Sequence, residues 1–284
     1  MLPRSVPVLS AVLFSFVVTF SAVAAPPAKT PPDGGRPIVI GRSYTLPSKL
    51  LGGERRINVY LPPGYSDAKR AFPVLYLLDG GEAEDFHHIT GLVQIAAFNG
   101  KTQELIVVGI EGIDRKHDLT PPSKVPHDRE LLPTSGGAAT YRRFLVEELK
   151  PWVAARYRTT GRSALIGESL AGLFVTETFL RAPASFEDYI AISPSLWWDG
   201  ESLSQEATAL LRAGGFRGRH LYLSLANEGG EMQSGVERLA QALKSEKPEG
   251  LDWRYDPRPD ERHDTIYHPT ALTALRALFS VPGK

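Results

Sequence analysis

A serine hydroxyl becomes a useful nucleophile only when a neighbouring base takes its proton. The stretch ALIGESLAG, Ala164 to Gly172, places a serine where such activation is commonly built. A strand-length apolar run, 163–167, stops at Gly167, Glu168 and Ser169 follow, and a helical pattern covers 170–181. A serine on a sharp strand-to-helix turn projects from the end of its strand. The residues two before and two after it must be small, because the helix backs closely onto the strand. Gly167 and Ala171 meet that demand, and Gly172 relieves the next contact. The strict pattern has glycine at Ala171, and alanine is the mildest departure from it. Such a turn aims the Leu170 N–H and the positive end of the helix at the place where an oxyanion would form. The competing reading is that Ser169 only caps helix 170–181.

The base must be one of seven histidines: His87, His88, His117, His127, His220, His263 or His268. On this kind of turn the partners follow in the order serine, acid, histidine, with the histidine late in the chain. His220 opens a strand-like run. His263 lies in a polar loop between the strand around WRYD and the last helical pattern, and His268 stands five positions on, beside Pro269, at that helix's rim. His263 is therefore the expected base. The acid is expected after HLYLSL (220–225), in ANEGGEMQSG, which offers Glu228 and Glu231. Glu228 is preferred because it is nearer the strand end and more rigidly held, whereas Glu231 can simply start the next helix. Its role would be to fix the histidine tautomer and stabilise the imidazolium. A second oxyanion donor is expected after PVLYLLDGG, where Asp79, Gly80 and Gly81 permit close backbone approach. His87 and His88 lack the carboxylate or histidine spacing of a metal site. No metal or organic cofactor is implied.

These residues need elements to hold them. Strand-length apolar runs recur at 56–62, 73–78, 105–110, 163–167, 188–193 and 220–225. The first alternates Ile57, Val59 and Leu61, as an edge or half-buried strand does. The middle runs are nearly continuous, as strands covered on both faces require. Helical patterns fall at 140–156, where Pro151 should introduce a kink, and at 170–181, 234–244 and 269–280. Strands alternating with helices indicate an α/β architecture, a mostly parallel sheet flanked by helices on both faces, with function at the carboxyl ends of the strands. The polar segment 114–139, rich in Pro and Gly, reads as a loop over the site.

With 284 residues, 42% of them hydrophobic and 23% charged, the chain can build one large core. Lys plus Arg and Asp plus Glu both number 32, so nothing in the charge balance points to nucleic acid or an anionic membrane. The absence of cysteine excludes disulfides, thiolate metal sites, cysteine nucleophiles and a lipidated cysteine anchor. Arg4, the apolar run after it and Ala22-Val23-Ala24 have the form of a signal peptide cleaved after Ala24. Residues 25–36 would be a flexible segment and 37–284 the folded domain, exported to a periplasm or secreted. No stable membrane insertion is expected after cleavage.

The stretches INVYLPPGY, PVLYLLDGG, VVGIEGIDRKHDLTPP, FLVEELKPWVAARYRTTGRSALIGESLAGLF, AISPSLWWDG, LYLSLANEGGEM and HDTIYHPTALTALRALF run in order through nearly the whole chain after residue 36. Together they resemble the Putative esterase family of esterase D-like α/β-hydrolases, which includes trilactone-siderophore (enterochelin-type) esterases, feruloyl esterases and mycolyltransferases. The resemblance implies an α/β-hydrolase fold, with the nucleophile at Ser169, the histidine at His263 and the acid at Glu228, although some members rely mainly on a Ser–His pair. It places Arg115, Asp118, Leu119, Thr120 and Pro121 at the rim of the site. Arg115 would hold an anionic or catecholate substrate, or else form an ion pair with Asp118. Trp197 and Trp198 would stack on an aromatic acyl group, or one of them would pack in the core. The expectation is an exported serine esterase acting on a small-molecule ester. Its rivals are acyl transfer to a second alcohol and a non-catalytic binding protein on the same scaffold.

Overall fold

The apolar run before Ser169 lies in the middle of an eight-stranded sheet. A computed structural model describes residues 36–98 and 100–281. The proposed leader, Met1–Ala24, and residues 25–35 lie outside the described residues. In chain order the elements are β1 (Arg42–Ser48), β2 (Gly53–Tyr60), β3 (Phe72–Leu77), α1 (Phe86–Phe98), β4 (Ile106–Ile110), α2 (Arg115–Leu119), α3 (Pro126–Leu131), α4 (Ala138–Arg143), α5 (Lys150–Ala154), β5 (Thr159–Glu168), α6 (Leu170–Arg181), β6 (Asp188–Ile192), α7 (Trp198–Ala213), β7 (Arg219–Ala226), α8 (Gly230–Glu246), β8 (Leu251–Arg258) and α9 (Tyr267–Leu278). They belong to a compact unit, Val39–Lys284.

The strand order is β1-β2-β4-β3-β5-β6-β7-β8. β1 and β2 are antiparallel to their neighbours, and from β4 to β8 every pair is parallel. This is the α/β-hydrolase fold that the run pattern and the family resemblance led us to expect. β3, β4 and β6 are buried along their whole length, as continuous apolar runs require when helices cover both faces. On one face α1 and α9 supply Phe86, Ile89, Leu92, Ala271 and Leu275. On the other, α4 and α6 to α8 supply Tyr141, Phe174, Leu203, Leu211, Val236 and Leu239.

Three expectations change. Strand 56–62 is not at the edge: β1, whose sequence RSYTLPS carries little apolar signal, covers it, and Ile57 to Tyr60 are buried. The segment 114–139 is not a plain loop, because it forms the short helices α2 and α3 and the start of α4. The irregularity expected at Pro151 appears one turn earlier. A π-helical stretch, Phe144–Leu149, joins α4 to α5, and Pro151 sits in the first turn of α5, where its missing N–H matters least.

The loop after β3 reaches the site because two glycines touch. A Cβ on Gly80 would lie 2.4 Å from the Gly109 Cα, and a Cβ on Gly109 would lie 2.4 Å from the Gly80 carbonyl oxygen and 2.8 Å from the Phe86 ring. Backbone cannot yield cheaply at such a contact. Gly109→Ala should therefore lower stability by about 1–3 kcal/mol. Gly91→Ala is the internal control: it lies on exposed α1 surface with nothing within 4 Å of its Cβ position, and should raise stability by up to about 1 kcal/mol. Urea midpoints of the two variants check this. An unchanged midpoint for Gly109→Ala would contradict the close packing.

Candidate active site

Ser169 stands alone between the last residue of β5 and the first of α6. Its backbone has φ 61° and ψ −120°, a conformation an L-residue adopts only under constraint, at a cost of about 1–3 kcal/mol. Three backbone bonds hold it there: Ser169 N–H donates to the Ile192 carbonyl at 3.1 Å, and the Ser169 carbonyl accepts from Leu173 at 2.9 Å and Ser195 at 3.0 Å. The small neighbours are required. A Cβ on Gly167 would lie 2.6 Å from the Ala171 Cβ, and one on Gly172 would lie 2.9 Å from the Ile192 carbonyl. The Ser169 side chain makes no capping bond, so the competing role as a helix cap is not the one it plays.

Its hydroxyl instead donates to His263 Nε2 at 3.0 Å. On the other side of the ring, Nδ1 is 2.7 Å from Glu228 Oε1. Glu228 as a carboxylate can only accept, which places the proton on Nδ1 and leaves the Nε2 lone pair for the serine. Glu228 follows the end of β7, with only 9% of its side chain exposed. The acid loop is tied to the histidine loop by Asn227 N–H, which donates to the Glu261 carbonyl at 2.9 Å. Glu231 is exposed on the first turn of α8, as its position in the sequence suggested. Among the other histidines, His220 contacts Asp188 at 2.9 Å and His268 stacks on His88 with ring centroids 4.8 Å apart.

The oxyanion expectation is half changed. Leu170 N–H opens α6, where the first amides have no partner within the helix. Gly80 N–H, however, is committed to the Ile110 carbonyl at 2.8 Å, so Gly80 is not a donor. Gly81 N–H donates to Glu84 Oε2 at 2.6 Å, and the same carboxylate accepts from Gly112 N–H. Gly81 serves an oxyanion only if Glu84 lets it go. Asp79 has φ 50°, so the loop turns on a residue held in the left-handed region.

The rim residues separate into two groups. Arg115 is about one-third exposed, donates to Asp79 Oδ2 at 2.8 Å and reaches the Glu168 carbonyl at 3.5 Å. Its expected alternative partner, Asp118, is buried and lies against Arg55 and His117 instead. Asp118 therefore holds the loop and does not face a substrate. Trp198 is likewise a core residue: it is buried, and its Nε1–H donates to the Pro121 carbonyl at 2.9 Å. Trp197 remains half-buried and packs its ring against that of Trp198. A left-handed run at Asp199, Gly200 and Glu201 continues from the tryptophans. Asp199 clamps the 114–139 segment: its N–H donates to Asp128 and its carboxylate accepts from Lys124 N–H and the Ser123 hydroxyl.

Two site residues were not anticipated. Ser195 Oγ lies 3.4 Å from Ser169 Oγ. Glu168 Oε1 lies 3.2 Å from His263 Nε2, on the nitrogen that the serine uses. Burial pushes the Glu168 carboxyl up to about 7. Asp79 and Asp85 act in the same direction, while His263 and Arg115 oppose them. A charged residue at the turn was visible in the sequence. Its closeness to a side chain 94 positions beyond Ser169 was not.

Residues 48–242 match the family described as "Putative esterase". The ferri-bacillibactin esterase BesA of Bacillus subtilis is 35% identical over 144 residues, 45% of this chain and 49% of BesA. The siderophore enterobactin esterase of Emericella nidulans is 35% identical over 102 residues, 33% of this chain and 34% of that protein. The matches thus span half or less of these two relatives. Among solved structures, an IroE-like serine hydrolase from Shewanella oneidensis superposes with a TM-score of 0.78 at 28% identity, covering 84% of this chain and 80% of that one. The BES protein from Bacillus cereus superposes with a TM-score of 0.75 at 25% identity, covering 87% and 99%.

The geometry separates the two glutamates of the acid loop. Glu228→Gln should lower kcat by about 10²- to 10⁴-fold, because an amide no longer stabilises the imidazolium. Glu231→Gln should lose much less. Steady-state kinetics on any ester that the chain turns over reads the difference, and the reverse ranking would move the acid to Glu231.

Proposed function

This chain belongs to the Putative esterase family, and from that premise we propose that it is a carboxylic ester hydrolase, an exported serine esterase working through an acyl-enzyme on Ser169. The hydrogen-bonded line Glu228–His263–Ser169 carries this reading. As Ser169 Oγ attacks the ester carbonyl carbon, its proton passes to His263 Nε2. Charge then grows on the carbonyl oxygen, where the Leu170 N–H and the positive end of α6 favour it. Glu228 stabilises the resulting imidazolium. The imidazolium gives its proton to the departing alcohol oxygen, leaving the acyl group on Oγ. Water repeats the sequence, losing a proton to Nε2, and releases the acid.

For the substrate we propose an ester of an iron-chelating siderophore, such as a trilactone, or another aromatic-acyl ester. The names of the relatives support the first. Arg115 and Trp197, a cation and an indole on segments bordering the nucleophile, suit an anionic aromatic group. Export rests on the AVAA site at residues 22–25.

A panel of p-nitrophenyl, feruloyl and ferric catecholate-trilactone esters, with and without an alcohol acceptor, tests the substrate class and separates hydrolysis from transfer. Ser169→Ala should abolish turnover of every member, and undiminished turnover would end the serine-esterase reading, as would a wild-type protein that binds the esters and leaves them intact. For export, protein recovered from a periplasmic extract should begin at or near Ala25. An intact Met1 in a soluble cytoplasmic fraction would contradict it.

A further inference from the structure

A serine hydroxyl has one proton to give and lone pairs with which to accept. The proton of Ser169 goes to His263 Nε2 at 3.0 Å. A second hydroxyl, Ser195 Oγ, lies 3.4 Å from Ser169 Oγ. With the Ser169 proton already committed, Ser195 is the donor of that pair and the nucleophile oxygen accepts. Ser195 is 2% exposed, and its hydroxyl makes no other hydrogen bond among the described residues. A buried hydroxyl left without a partner is costly. The nucleophile is the group that satisfies this one.

The backbone around Ser195 is fixed from several sides. Ser195 N–H donates to the Ser169 carbonyl at 3.0 Å, and the Ser195 carbonyl accepts from Trp198 N–H at 3.2 Å. Two positions earlier, Ser193 has φ 37°, donates through its N–H to the Ser224 carbonyl at 2.9 Å and accepts at Oγ from Ala226 N–H at 3.0 Å. Pro194 lies against Gly172, where an added Cβ would stand 3.0 Å from the Pro194 Cα. These contacts join the turn after β6 to the nucleophile turn and to the end of β7, from which Glu228 follows. β6 lies on the opposite side of β5 from β3. Ser195 therefore meets the nucleophile from the side away from the Gly80–Gly81 loop, and its target is the nucleophile oxygen and not the carbonyl oxygen of a substrate.

We propose that Ser195 is a further catalytic residue, whose hydroxyl donates to Ser169 Oγ while that oxygen carries charge. The inference rests on the assignment of Ser169 as nucleophile. At 3.4 Å the resting contact is long, since O–H···O bonds cluster at about 2.7–2.8 Å and bonds to an ionised oxygen are shorter still. The contact therefore gains as charge grows on Oγ, and an interaction that is stronger in the transition state than at rest speeds the step. In acylation Oγ gives its proton to Nε2 and bonds to the carbonyl carbon, whose π electrons pass to the carbonyl oxygen. In deacylation water bonds to that carbon, the C–Oγ bond breaks with its electron pair on Oγ, and the imidazolium returns the proton. Ser195 keeps its own proton through both steps.

The rate of labelling by a fluorophosphonate, followed from about pH 5 to 9, reads attack by Oγ without acyl release. Ser195→Ala should lower the plateau rate by about 10- to 100-fold, the worth of one hydrogen bond to a charged oxygen. It removes no charge, so the midpoint of the acid limb should stay in place. A displaced midpoint would assign the loss to His263 and overturn the proposal. Ser195→Cys fills nearly the same space with a weak donor and should fall with Ser195→Ala. Ser195→Thr keeps the hydroxyl and should restore most of the rate. Labelling of Ser195→Ala at the wild-type rate would overturn the proposal. So would a Ser195→Cys variant that labels like the wild type, because filling space would then account for the serine, even where Ser195→Thr does not fold. Stability gives a readout apart from activity. In Ser169→Ala the Ser195 hydroxyl has lost its acceptor, so adding Ser195→Ala should leave the urea midpoint unchanged or raise it. A further fall would contradict the contact. Undiminished labelling of Ser169→Ala would instead overturn the serine assignment beneath it.

Discussion

The site depends on one backbone constraint, the positive φ of Ser169. A residue at φ 61° and ψ −120° reverses the chain within a single position, so a strand ending at Glu168 can hand over directly to a helix starting at Leu170. Everything near it is arranged to make that strain tolerable. Gly167 and Gly172 let the helix lie against the sheet, and the Ile192 carbonyl and Ser195 N–H fix the turn from the adjoining chain. The return is a hydroxyl that has no local partner and so points to a ring contributed from the far end of the sequence.

That ring is held as tightly as the serine. The loops after β7 and β8 are tied together through Asn227 and Glu261, and Glu228 is buried against Nδ1. The parallel order β5-β6-β7-β8 brings the three chain ends to the same edge of the sheet. The opposite side of the site is a polar cluster of Asp79, Glu84, Arg115 and Glu168, whose members bind one another and the loop amides. The rim of the site is built by the segment 114–139 and its clamp at Asp199.

What was legible in the sequence follows from how local each cause is. β3, β4 and β6 are buried on both faces, so their composition announces them. Gly167 and Ala171 mark the turn because the steric demand falls on residues two positions away. Glu228 and His263 were placed by order along the chain and by the ends of strands. β1 was missed because an edge strand with exposed positions needs little apolar sequence, and among the described residues it pairs with β2 alone. α2 and α3 are five and six residues long, and α3 is fixed by contacts to Asp199 and not by propensity. Gly80 was read as an oxyanion donor because glycine permits close approach, but that approach serves packing against Gly109. The burial of Asp118 and Trp198 and the meeting of Glu168 with Nε2 are products of tertiary packing, which no local pattern records.

The most direct measurement is mass spectrometry of protein quenched in acid during turnover of a slow ester. An adduct equal to the acyl group should map to the peptide containing Ser169 and disappear as the ester is consumed. Steady turnover with no adduct under conditions where acyl release limits the rate, or an acyl group carried on another residue, would contradict the account.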